Sequence, residues 1–324
     1  MSELNPILPP ENVPPGPDTQ VGEPTPPRVY TIFVGPHGIR AGWRLLLYLL
    51  MTALIAAIFA FILQPWHAHG AALLWLQLVE EGLLAAAVII AAFIMTRIEK
   101  RPFGDYGLPG GEALGKLFWI GCLWGLLAIT LLLVMIRGLH GFYFGHLALH
   151  GIRILKFALF WGLFFLLVGF FEEFLLRGYT QFTLTDGIGF WPAAAITSAS
   201  FGALHVDNPG EALVGLSSAG LIGLFLCLTL RRTGNLWFAV GFHLAFDWGE
   251  TFLYSVPNSG TVEPGHLLNS SFHGPIWLTG GSVGPEGSVF AFILIAILWV
   301  VFDRLYPEAR YPVARAPSLV TAES

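Results

Sequence analysis

Charge is the scarcest property of this chain. Only 11% of its 324 residues are Asp, Glu, Lys or Arg, 55% are hydrophobic, and the mean hydropathy is +0.69. That balance excludes an ordinary soluble domain, which carries about 25% charged residues. The chain also lacks a basic tract and has a formal net charge of −5, so no nucleic-acid partner is indicated. Cysteine is nearly missing: Cys122 and Cys227 both fall inside apolar runs, which leaves no support for a disulfide framework or a thiolate metal site and reads as small-residue packing. No internal repeat is evident, which weighs against a transporter built from two inverted halves. A cleavable signal peptide is not expected either, because the first apolar run begins only near Trp43 and is too long for one.

What the chain does have is proline at one end and long apolar runs thereafter. The first 36 residues hold ten of the 22 prolines with almost no apolar periodicity, so 1–42 is expected to be a disordered or polyproline-like cytoplasmic tail. Crossing about 30 Å of hydrocarbon at about 1.5 Å per residue takes about 20 apolar residues. Eight windows qualify: 43–64, 72–96, 116–137, 155–183, 190–206, 211–230, 235–254 and 287–306. The expected fold is therefore all-α, a polytopic integral membrane protein of about eight transmembrane helices spanning 43–306. A Gly-, Ser- and Pro-rich stretch at 255–286 reads as a long outer loop, a lid or a linker, and 307–324 as a second cytoplasmic tail. With the N-terminus inside, thirteen of the sixteen Lys and Arg residues fall on the inner side, against Arg137, Arg153 and Lys156 outside. Both termini are thus expected in the cytoplasm, and the scarcity of soluble content and disulfides suits a bacterial inner membrane.

Against this background, ionisable groups inside the spans stand out. A charge near the bilayer centre costs about 2.5–3.5 kcal/mol on insertion scales, so each needs a partner or a wet cavity. The fourth window ends in "EEFLLR", with Glu172, Glu173 and Arg177; the fifth holds "FGALH", with Phe201 and His205; the seventh holds "HLAFD", with His243 and Asp247. Glu173 and Arg177 stand four apart, acid first, the favoured order for a helical ion pair. Glu172 is turned about 100° away and must face something else. A buried carboxyl beside a like charge suits a general base that takes a proton from water. His243 and Asp247, also four apart, suit either a carboxylate orienting an imidazole or two ligands of one ion. Measured from assumed helix ends, Glu172, His205 and His243 lie about 18, 20 and 12 Å deep, compatible with one shared cavity.

The second window adds another acidic pair, Glu80 and Glu81, with Ala85 where an arginine would complete the pattern; it could line the same cavity, sit at its mouth or mark a shorter span. The remaining histidines considered, His67, His69, His140, His146, His150, His266 and His273, have no diagnostic spacing.

Together, "EEFLLR", "FGALH" and "HLAFD" resemble the EExxxR, FxxxH and HxxxN/D motifs of the CPBP family of intramembrane proteases, which includes the CAAX prenyl proteases and the bacteriocin-processing and self-immunity proteins. The resemblance covers roughly 155–254, and "RPFGDYGL" at 101–108 looks like that family's approach to the core. It implies an intramembrane endopeptidase acting on a peptide, or on a lipidated or transmembrane protein, held in the lipid bilayer. Glu172 then resembles the residue that activates water, His205 its partner at the scissile carbonyl, and His243 with Asp247 the oxyanion-stabilising group, with Glu173 and Arg177 completing the motif. The family leaves two mechanisms open, a metal-free glutamate protease or a site in which Glu172, His205 and His243 ligate Zn2+ or another divalent cation. Asp247 departs from the commoner asparagine. An asparagine amide donates to an oxyanion whereas an ionised aspartate only accepts, so Asp247 is expected to orient His243. Two rival readings remain, a non-catalytic membrane immunity or scaffold protein and a proton- or cation-coupled transporter.

Overall fold

The computed structural model describes residues 32–35, 38–67, 74–209 and 213–311. Most of the proline-rich tail, the end of the C-terminal tail and His69 lie outside the described residues. The chain divides into a short N-terminal unit, Met1–Arg40, and a body, Ala41–Ser324. In the first, β1 (Val34–Gly35) pairs antiparallel with β2 (Gly38–Ile39).

The body is helical because lipid offers the backbone no hydrogen-bond partner, so each apolar run must satisfy its own amides and carbonyls. Helices α1 (Ala41–His67), α2 (Leu74–Glu99), α3 (Lys116–Gly138) and α4 (Ile152–Glu173) follow in order. A π-helical turn, Phe174–Thr180, joins α4 to α5 (Gln181–Ile188). Next come α6 (Phe190–Leu204), α7 (Leu213–Thr233) and α8 (Trp237–Trp248), the last running into a second π-helical turn, Gly249–Leu253. Helix α9 (Val289–Leu305) completes the body. Side chains such as Leu54, Phe61, Leu123 and Leu159 remain exposed on outward faces, as lipid-facing residues do.

Five of these helical stretches are long and apolar enough to cross a membrane, and the chain is an all-α integral membrane protein. Each of the eight windows holds a helix, but three are shorter than a full span. Helix α6 has 15 residues, α8 has 12 before its π turn, and α9 has 17. At about 1.5 Å per residue, α6 reaches only about 22 Å. It stops where His205 takes over the end of the helix: the His205 Nδ1–H donates to the Phe201 carbonyl at 2.8 Å, satisfying one of the last-turn carbonyls that a helix leaves open.

Close backbone approach fixes the centre. On α3, Gly121 and Gly125 form a Gly-xxx-Gly face; a Cβ on either would lie 2.1 Å from the carbonyl oxygen of Phe238 or Phe242 on α8. Gly241 answers from α8, where a Cβ would lie 2.1 Å from the Phe118 carbonyl oxygen. Small residues of this kind let membrane helices pack backbone to backbone. On the other side of α8, Gly169 of α4 leaves room for His243, whose Cβ lies 3.2 Å from where its own would stand.

The 255–286 segment is not a free linker. Its β4 (Ser271–Phe272) pairs antiparallel with β3 (Phe142–Tyr143), and Leu268 bridges Leu147. At the other end of the bundle, Arg44 of α1 pairs with Glu99 at 2.7 Å and with Asp186 at 3.0 Å, and Arg101 also reaches Asp186 at 3.2 Å. The Tyr179 hydroxyl donates to Glu99 as well, so this network ties α1, α2 and α5 to the π turn that follows the acidic pair.

Candidate active site

The two adjacent glutamates have opposite fates. Glu173 is fully buried, and its Oε1 accepts two hydrogen bonds, from Arg177 Nη1 at 3.1 Å and from His243 Nδ1 at 3.0 Å. Because a carboxylate oxygen only accepts, His243 Nδ1 carries a hydrogen, and the imidazole is held by Glu173 at that atom. Glu173 thus makes an orienting contact across helices at Nδ1, while Asp247 Oδ2 stands 3.4 Å from the opposite ring atom, Nε2.

Arg177 is also fully buried, and its guanidinium carbon lies 4.3 Å from the centre of the Phe201 ring, in cation–π range. Gly223 of α7 makes room for it, since a Cβ there would fall 2.3 Å from Arg177 Nη2. Phe201 thus serves two ends of the site: its ring carries Arg177 and its carbonyl holds His205. Each of the three sequence patterns contributes a side chain that another one needs.

Glu172 faces the other way. Its Oε2 stands 3.5 Å from His243 Nε2, the atom that Asp247 also approaches. These separations exceed a direct N–H···O bond of about 2.7–3.2 Å and are the spacing of an ion pair. Glu172, His205, His243 and Asp247 all line one cavity of about 430 Å³ between α4, α6, α7, α8 and α9. Its walls are apolar, from Phe164, Phe165, Val168, Phe201, Ile222, Phe242 and Leu294, while Asn208, Asn258, Thr261, Glu263 and Glu286 supply polar groups. At about 30 Å³ per water, the space holds several waters or a stretch of peptide.

For His205, the carbonyl acceptor at Nδ1 fixes the neutral tautomer: Nδ1 has the hydrogen and Nε2 the lone pair. Neither Glu80 nor Glu81 is among the residues lining the cavity. No three His, Cys, Asp or Glu side chains among the described residues are arranged to hold a metal ion. Glu250 is an acid that the three sequence patterns do not include. It is fully buried in the π turn after α8, with no hydrogen-bond partner for either carboxyl oxygen among the described residues. The spacing His243, Asp247, Glu250, one helical face at i, i+4 and i+7, was its available signal.

Residues 154–249 match the family model of the Rce1-like proteins, the type II CAAX prenyl endopeptidases. This core resembles the CAAX protease family. The match runs from the start of α4 to the first residue after α8, so it contains all three patterns. No curated protein and no solved structure is significantly similar to the chain. The matched core supplies Glu172, His205, His243 and Asp247, whereas α9 and the 255–286 segment, which close the cavity, lie beyond the matched residues.

Proposed function

We propose that this chain is an intramembrane endopeptidase in which Glu172 takes a proton from a cavity water, and that water attacks the scissile carbonyl. The observation that carries this reading is the division of labour between adjacent carboxylates. Glu173 is occupied by Arg177 and His243, while Glu172 presents to the cavity next to an imidazole. The new C–O bond forms as the carbonyl π pair moves onto oxygen, and a protonated His243, its charge balanced by Glu173 and Asp247, donates from Nε2 to the oxyanion. His205, with its Nε2 lone pair, accepts from the attacking water or the substrate amide. Collapse of the tetrahedral intermediate breaks the C–N bond, and Glu172 returns its proton to the leaving amine, so the carboxylate is regenerated.

The apolar cavity walls support a lipidated or transmembrane peptide as substrate, and the bias of Lys and Arg supports a bacterial cytoplasmic membrane with both termini inside. The test compares membrane peptides from cells carrying wild type and Glu172→Ala. Peptides that accumulate uncut only with the variant support the reading; identical peptide profiles overturn it. A parallel assay with a strong chelator is expected to leave cleavage unchanged, and loss of cleavage restored by Zn2+ would replace the metal-free mechanism.

A further inference from the structure

The cavity has a one-sided charge that the hydrolytic chemistry does not require. Besides its two histidines, the ionisable groups that line it are all acids: Glu172, Asp247, Glu263 and Glu286. Among the described residues no Lys or Arg lines it; Arg177 is turned to Glu173 and Phe201. The whole 255–286 segment contains no Lys or Arg.

The backbone beside Glu263 and the Glu286 side chain are both anchored. Beside Glu263, the Pro264 carbonyl accepts from Trp161 Nε1 at 3.3 Å, and Gly265, at φ +81°, packs against the Phe157 ring so tightly that a Cβ would lie 2.1 Å from it. Glu286 Oε1 accepts from the Ser259 amide at 2.6 Å, and its carbonyl accepts from the Ser218 hydroxyl of α7 at 2.7 Å. Two carboxylates at an apolar cavity attract a cation and repel an anion more strongly than they would in water, because the surroundings screen them less.

We infer, resting on the peptidase reading above, that this cavity takes an internal apolar segment bearing a Lys or Arg side chain beside Glu263 and Glu286, and disfavours a chain end carrying a free carboxylate. A terminal carboxylate is best read by a Lys or Arg, and none lines this space among the described residues, where the amides of Asn208 and Asn258 stand among four acids.

The test uses the full chain in lipid nanodiscs and one apolar peptide flanked by Lys, Gln or Glu as C-terminal amides, plus the Gln peptide with a free carboxylate. Binding is measured by fluorescence anisotropy to Glu172→Gln protein, which isolates recognition from cleavage. The Lys peptide is expected to bind at least about tenfold tighter than the Glu peptide, and the amide tighter than the free acid, with the gap narrowing at high salt. Glu263→Lys should reverse the order, and Glu263→Gln, a gentler change, should flatten it. Equal affinities across the series, or an unchanged order in a Glu263 variant that melts like wild type, overturn the inference. Charge-ordered binding without cleavage by wild type would instead sink the peptidase reading alone, and cleavage without charge order would sink this inference alone.

Discussion

Arg177 and Phe201, on separate helical segments, make a cation–π contact, with the guanidinium carbon 4.3 Å from the ring centre. The contact joins the arginine of one motif to the phenylalanine of the next. Phe201→Leu keeps much of the volume and removes the ring face. It is expected to cost about 1–2 kcal/mol, seen as a lower melting temperature in detergent, with at least tenfold slower cleavage. Arg177→Lys should be no milder, since lysine cannot lie flat on the ring.

Glu172 and Glu173, though adjacent, are expected to fail differently. Glu172→Gln should abolish peptide cleavage while the protein melts near the wild-type temperature. Glu173→Gln leaves buried Arg177 without its counter-ion, which costs about 3–5 kcal/mol, so both melting temperature and activity should fall. Equal melting of the two variants would refute the assigned division.

Asp247 sits at the Nε2 side of His243, while Glu173 holds Nδ1. Asp247→Asn therefore leaves the imidazole oriented and adds a donor beside the oxyanion position. Its kcat/KM is expected to stay within about tenfold of wild type, measured with a fluorogenic peptide. A collapse of activity at unchanged melting temperature would assign the carboxylate charge itself a necessary part in the reaction.

The α3–α8 contact makes a packing prediction. Gly125→Val places side-chain carbons where the Phe242 carbonyl now lies, so the helices must part, at about 1–3 kcal/mol or more. Since α8 carries His243, cleavage should drop with stability. Gly162→Ala is the control: the nearest atoms to its Cβ are 3.9 Å away on Trp248, and little change is expected in a thermal melt.

Much of the site is legible in the amino-acid sequence. Glu172, His205 and His243 are conspicuous there because lipid penalises ionisable side chains, so their presence in apolar runs already marks them. The pairing of Glu173 with Arg177 follows from helical spacing and persists in the π-helical turn, at 3.1 Å. The hold of Glu173 on His243 does not follow, because it joins residues 70 positions apart and depends on Gly169 admitting α8 to α4. Glu263 and Glu286 look like loop acids in the sequence, and only the anchoring of their neighbours on α4 and α7 turns them toward the cavity.

By itself, the sequence determined that this chain is a helical membrane protein with acid and imidazole groups set into its spans. Hydrocarbon leaves an apolar run no other way to satisfy its backbone and lets few ionisable groups stay without cause. Tertiary structure alone decided which carboxylate serves which partner. A helix fixes the angle between neighbouring side chains, but what stands opposite each face is set by the helices that pack there.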